Sequence, residues 1–233
     1  MNLINVSADA KTIKGEKLGW KTGIMYLAPH NVSGKNVCAF ASKGCAAACL
    51  FTSGRGKFKN VHESRIKKTK YFISNPKEFV EALRGEIYKL KMKFQASEFE
   101  LCIRLNGTSD LPWERLGGNS GVSVVESFPT INFYDYTKNP NRMMAYLKGD
   151  FPKNYHLTFS RSESNNAVCD KVLQAGGSVA IVFDELPESY NGFEVTNGDE
   201  SDLRFLDPVN CIVGLKAKGK AKNDSSGFTI ITK

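Results

Sequence analysis

The chain has 233 residues, 41% hydrophobic and 24% charged, with a formal net charge of +8 and a sequence pI near 9.1. That length suits one α/β barrel-sized domain or two small ones, and no apolar run approaches the roughly 18 residues of a membrane span. Met1–Lys14 lacks the basic, apolar, small-residue order of a signal peptide, so the chain is expected to stay in the cytoplasm and away from membranes. In a reducing compartment, its six cysteines argue for metal or redox use over a disulfide framework. The basic excess favours a polyanionic partner, a nucleic acid or a nucleotide. It leaves the oligomeric state open.

Residues 1–21 are polar and mixed and read as an irregular or hairpin lead-in. Gly23–Ala28 is an apolar run stopped by Pro29, as in a buried strand. The stretch Asn36–Gly56 follows as a loop and holds Cys38, Cys45 and Cys49 in a C-x6-C-x3-C pattern, with Gly44 and Ala46–Ala48 between them. Three thiolates spaced by small residues suit a soft metal or an iron–sulfur cluster. A zinc site with His30 or His62 as fourth ligand is one alternative, since Cys3His is a common zinc set, and three unligated cysteines, two of them packed as small apolar residues, are another. Gly54-Arg55-Gly56 offers flexible backbone amides and a cation to an anion.

Asn60–Ser74 has helical spacing, and Asn75-Pro76 reads as an N-cap and first helical residue for a second helix carrying Phe79, Leu83, Ile87 and Leu90. A rhythm of short apolar stretches then sets in. Phe99–Leu105 ends in Asn106–Asp110, Thr130–Tyr134 ends in Asp135–Lys138, and Tyr155–Phe159 ends in Ser160–Glu163. Ser178–Phe183 ends in Asp184-Glu185, and Cys211–Leu215 ends in Lys216–Lys218. Helical spacing over 139–148 and 164–175, the latter stopped by Gly176-Gly177, separates several of them. Such alternation predicts one α/β domain of parallel strands with right-handed crossovers. Six strands are too few for a closed eight-stranded barrel but fit a partial (β/α)6 TIM-like barrel over 22–233, with 186–208 inserted as a hairpin or lid. Chemistry in such barrels sits at the carboxyl ends of the strands, where the polar residues collect.

Some residues have plainer readings. Cys102, Cys169 and Cys211 fall within regular elements and read as buried thiols. His156 reads as a core histidine, and Trp113 with Glu114 as packing at a helix start. The six cations of Lys57–Lys70 read as a solvated helix face.

A three-cysteine loop after the first strand of a six-strand partial barrel resembles the radical S-adenosylmethionine superfamily, although its usual spacing is C-x3-C-x2-C. The segments R-L-N-G-T-S-D, F-Y-D-Y-T-K, S-R-S-E, D-L-R-F-L-D-P and G-L-K-A-K-G, between Tyr26 and Phe228, are similar to those of a phage family called gene product 88. The superfamily likeness implies an enzyme in which Cys38, Cys45 and Cys49 hold a [4Fe-4S] cluster whose fourth iron binds S-adenosylmethionine. It implies that Asn106, Gly107 and Thr108 meet the methionine amino group, and that Ser160 and Arg161 contact the ribose and carboxylate. Asp184 and Lys216 would face the same mouth. A phage origin would make the cytoplasm that of the host.

Two other functions remain open. One is a non-catalytic nucleic-acid-binding protein with a structural zinc or cysteine loop, using Lys57, Lys59, Lys67, Lys68, Lys216, Lys218, Lys220 and Lys222 on phosphates. The other is a magnesium-dependent hydrolase built on Asp110, Asp135 and Asp184.

Overall fold

Alternating apolar strands and amphipathic helices build a mixed α/β fold around one ten-stranded, mostly parallel sheet that is not closed. The computed structural model describes residues 1–7 and 9–232, and of Arg55 the backbone alone. The strands are β1 (Ile4–Val6), β2 (Trp20–Met25), β3 (Glu100–Arg104), β4 (Asn132–Thr137), β5 (Tyr155–Ser160), β6 (Val179–Phe183), β7 (Ser189–Tyr190), β8 (Phe193–Asn197), β9 (Ile212–Lys216) and β10 (Thr229–Ile230). Their spatial order is β1-β2-β3-β4-β5-β6-β9-β8-β7, with β10 beside β6. The six neighbours from β2 to β9 run parallel and are the six strands expected, shifted by a few residues at their ends. The helices are α1 (Ala10–Glu16), α2 (Lys43–Ala47), α3 (Lys59–Ser74), α4 (Pro76–Phe94), α5 (Pro140–Leu147) and α6 (Asn166–Gln174).

Strand alternation divides the core between the two faces of the sheet. Leu101, Ile103 and Phe133 point one way and pack on Phe79, Leu83 and Ile87 of α4. Farther along that face, Leu157, Phe159, Val179 and Ile181 pack on Met143 of α5 and Val172 of α6. Cys102 and Tyr134 point the other way, against Leu203 and Phe205. The second face is therefore closed by the segment that follows β8. The expected insert does form a hairpin, but its turn is Asn191-Gly192, both at positive φ. Such a two-residue turn with positive φ at both positions matches strand twist. The polar run at 197–202 lies beyond it. β8 then adds in parallel to β9 and widens the sheet.

The lead-in is more regular than its composition suggests. β1 pairs antiparallel with β2, and Asp9 caps α1 by accepting from Lys11 N and Thr12 N. Asn75 precedes α4 without a side-chain cap. No helix follows Trp113, and 111–131 is turns and loop among the described residues. β4 runs on through Thr137, so Asp135 lies inside the strand and is buried instead of closing it. No helix among the described residues is long and apolar enough to cross a membrane.

Candidate functional site

The carboxyl ends of β3, β4, β5, β6 and β9 open into one cavity of about 1210 Å³, lined there by Arg104, Tyr136, Ser160, Val182 and Lys216. The cysteine loop forms another wall, and Cys38, Cys45 and Cys49 all line the same space. The loop is held at both ends. Asp110 N donates to Val37 O at 2.9 Å, tying the start of the loop to the end of β3. Glu163, just after β5, accepts from Ser42 Oγ at 2.7 Å and Gly44 N at 2.8 Å. Those bonds hold the Glu163 carboxyl below its usual range despite the opposing cost of burial. A Cβ on Gly44 would come within 2.7 Å of Glu163 and 2.8 Å of Phe228, so only glycine lets the backbone approach this closely. Ala48 is buried with Ala217, Ala221 and Phe228, which explains the small residue just before the last cysteine.

The thiols are half-buried. Burial pushes Cys38 up to about 11, against the His30 N–H that its sulfur accepts at 3.4 Å. Cys49 is also raised by burial, opposed by the Phe51 N–H and by the charges of Arg65 and Lys138. Cys38 Sγ lies 3.7 Å from Thr108 O. Burial thus favours the neutral form of Cys38 and Cys49, and all three sulfurs line the same partly apolar space.

A sealed network supports the floor. Asn106 N and Nδ2 donate to Asp135 at 2.7 and 3.1 Å. Asn106 Oδ1 accepts from Ser109 Oγ, Leu111 N and Trp113 Nε1. The Tyr155 hydroxyl donates to Asp135 at 2.7 Å and accepts from Arg142, which also pairs with Glu114 at 2.8 Å and Asp110 at 3.1 Å. Burial raises Asp135 to about 6, with Arg142 opposing.

A family model for gene product 88 matches residues 3–230. The chain belongs to the gene product 88 family. No curated protein and no solved structure matches it.

In this gene product 88 chain, the expected site residues divide. Asn106, Gly107, Thr108, Ser160 and Lys216 line the cavity with the three cysteines. Asn106 is 3% exposed and its amide is committed to the network, so it shapes the loop. Gly107 approaches β2 so closely that a Cβ would meet Tyr26 at 2.6 Å. Thr108 Oγ1 donates to Leu27 O at 2.5 Å. Ser160 Oγ accepts from Lys138 Nζ at 2.6 Å.

Arg161 and Asp184 are turned elsewhere. Arg161 donates to the carbonyls of Gly227 and Phe228 and to Asn166, beside a separate pocket of about 220 Å³. Asp184 accepts from Thr232 N and Oγ1 at 3.0 and 2.9 Å. The three-aspartate magnesium arrangement is therefore not assembled: Asp135 is buried, Asp110 serves Thr137 and Arg142, and Asp184 binds the carboxyl-terminal segment. Cys102, Cys169 and Cys211 are buried as expected. His156 is half-buried against Phe205. The Arg55 side chain, expected beside an anion, lies outside the described residues.

The charge run over Lys57–Lys70 is split by the helix. Lys59, Lys67 and Lys70 are exposed, while Lys57, Arg65 and Lys68 line the cavity. Lys68 is buried and donates to Leu3 O at 3.0 Å. Arg65 is the residue that base rates for charge runs conceal; its position three residues before Lys68 puts both on one helix face.

A four-iron cluster and a zinc ion ask different things of this loop. His62 stacks on Phe51 at 4.1 Å, with Nε2 3.3 Å from Phe51 O. His30 reaches Cys38 through its backbone. Among the described residues, no three His, Cys, Asp or Glu side chains are gathered tightly enough for a single metal ion. Zinc–sulfur bonds of about 2.3 Å demand such close sulfurs, whereas a multi-iron core spans ligands set farther apart. Three thiols lining one cavity are the donor type that an iron–sulfur cluster takes.

Proposed function

We propose that Cys38, Cys45 and Cys49 hold a [4Fe-4S] cluster and that this chain is a radical S-adenosylmethionine-like enzyme acting on a nucleotide or nucleic acid. On this reading the parallel run from β2 to β9 is a partial (β/α)6 TIM-like barrel with its reaction mouth at the strand ends. One observation carries the proposal. Three half-buried thiols from a single loop converge on a cavity formed by the carboxyl ends of consecutive parallel strands. When bound, the cluster would supply the electron for reductive cleavage of S-adenosylmethionine.

The chain's own residues supply the enclosure. Glu163 and Gly44 fix the cysteine loop against the carboxyl-terminal segment. Asp135 and Asn106 hold the turn after β3, which presents Thr108 to the cavity. The raised thiol of Cys38 must lose its proton to become a ligand, so metal uptake strengthens as pH rises. The cavity exceeds the roughly 300–1,000 Å³ of common small-molecule pockets, which leaves room for a cofactor and a substrate together.

Protein made and purified without oxygen should be brown and contain about four irons with matching sulfide. The Cys45→Ala variant should lose both while keeping its helical circular dichroism. Colourless protein that takes up no iron on reconstitution would remove the proposal.

A further inference from the structure

Among the described residues, eight basic and four acidic side chains line the cavity, so they leave it net positive even with all three thiols ionised. The acids are already engaged. Asp199 pairs with Lys11 at 2.9 Å and Lys218 at 2.7 Å, and Asp202 pairs with Arg104 at 2.7 Å. Asp110 accepts from Thr137, Lys138 N and Arg142, and Asp9 accepts from Tyr26 and caps α1. Of the five lining cations without a carboxylate among the described residues, Lys68 is committed to Leu3 O and Lys57 and Lys216 are exposed, which leaves Arg65 and Lys138 half-buried. Arg65 lies 4.6 Å over the Tyr26 ring and 5.5 Å from that of Phe51, with Nη1 buried and unpartnered. Lys138 Nζ donates to Ser160 Oγ and lies 5.6 Å from the centroid of the Phe228 ring.

These cations come from different walls, Arg65 from α3 and Lys138 from the end of β4, and both reach the cysteine loop, Arg65 at Phe51 and Lys138 at Phe228, which packs on Ala48 and Cys45. They therefore flank one part of the cavity beside the cysteine loop. A guanidinium set over two aromatic rings has lost much of its freedom before any ligand arrives and can donate to phosphate oxygens. An arginine and a lysine left without counter-ions match a group carrying nearly two negative charges. A phosphate monoester carries about −1.5 to −2 near neutral pH, whereas each diester of a nucleic-acid backbone carries one. Arg65 is partly enclosed, so the anion must enter the cavity instead of lying across the rim.

We propose that Arg65 and Lys138 together bind the terminal phosphate of a nucleotide inside this cavity. The idea rests on the cavity being the substrate site and not on the cluster. A mononucleotide, not a polymer, is then the substrate class.

Calorimetry on the full chain purified without oxygen tests this with a nucleoside 5′-monophosphate, the matching nucleoside, inorganic phosphate and an oligonucleotide lacking terminal phosphates. The monophosphate should bind at least about tenfold more tightly than the nucleoside, in keeping with charge-assisted hydrogen bonds. Arg65→Met and Lys138→Met should each erase most of that advantage while leaving nucleoside affinity and thermal midpoint nearly unchanged. Inorganic phosphate should compete weakly. Equal binding of nucleoside and monophosphate would overturn the proposal. So would inorganic phosphate binding as tightly as the nucleotide, which marks a free-phosphate site. Oligonucleotide binding that matches the monophosphate and ignores Arg65→Met would overturn it in favour of the outer lysines. Iron assayed on the same samples separates the two claims, because iron-free protein that still prefers the monophosphate loses only the cluster.

Discussion

Two charged clusters lie within a few residues of each other at the end of β4. On the helix-covered face, Arg142 is enclosed by Glu114, Asp110 and the Tyr155 hydroxyl, and Tyr155 in turn donates to Asp135. On the cavity side, Lys138 and Arg65 find a hydroxyl and aromatic rings but, among the described residues, no carboxylate. Buried charges persist only where they are paired or ligand-bound, because desolvation is otherwise uncompensated. The first cluster is complete without a ligand and serves the scaffold. On the reading proposed above, the second is completed by a bound phosphate.

Arg142→Met breaks this contrast most severely. It leaves the Glu114 and Asp110 carboxylates buried without their cation, and breaking a buried pair in this way costs about 3–5 kcal/mol. Urea denaturation should show that loss in the midpoint with little change in slope, and Arg65→Met should shift the midpoint far less. Equal destabilisation by the two variants would mean that both arginines are structural.

Acid–base behaviour sharpens the same contrast. Burial raises Asp135 and Asp207 from 3.8 to about 6, with Arg142 and Arg204 opposing. A carboxyl whose folded value is raised binds its proton more tightly in the folded state. Its penalty is absent below about 4, grows as pH rises through 6, and is complete above that. Stability to urea should therefore fall between pH 4 and 6 by on the order of 2 kcal/mol, given 1.36 kcal/mol per unit and partial compensation elsewhere. Asp135→Asn should be less stable throughout, because it loses an acceptor for Asn106 and Tyr155, yet its slope over that window should shrink. An unchanged slope would assign the titration to Asp207 alone.

The sequence exposed the frame more readily than the site. Leu101-Cys102-Ile103 and Val179–Phe183 are apolar enough to mark buried parallel strands, and each stands at its expected place in the sheet. Less was legible where pairing depends on distant partners. β1 and β10 are short, and nothing local in Ile4–Val6 or Thr229–Ile230 signals their neighbours. Thr137 extends β4 because Phe159 of β5 is there to pair with it, so Asp135 passes from apparent strand end to buried interior. Arg161 and Asp184 stand at strand ends but satisfy Gly227–Phe228 and Thr232, a carboxyl-terminal segment whose route no periodicity announces. Arg65 was hidden for the converse reason. A charge run reveals its number of cations, and only the fold reveals which of them turns inward.

Gly44 is where the complete scaffold meets the ligand-dependent wall, and substituting it gives the smallest effect expected of the three. An added methyl would meet Ser226 Oγ, the Glu163 carboxylate and the Phe228 side chain at once, so the loop itself must yield. Overpacking costs about 1–3 kcal/mol in a rigid core, and a half-buried loop should relax to the lower end, about 1 kcal/mol. The consequence for the cysteines should be larger than that figure suggests. Displacing Gly44 loosens the Ser42 and Gly44 bonds to Glu163 and swings α2 away, uncovering Cys45 beside Phe228. In Gly44→Ala, alkylation of Cys45 by a maleimide should therefore accelerate several-fold while that of Cys102 stays slow. If Cys45 and Cys102 accelerate together, the substitution has loosened the whole sheet, and the cysteine loop is not the separable wall that its contacts describe.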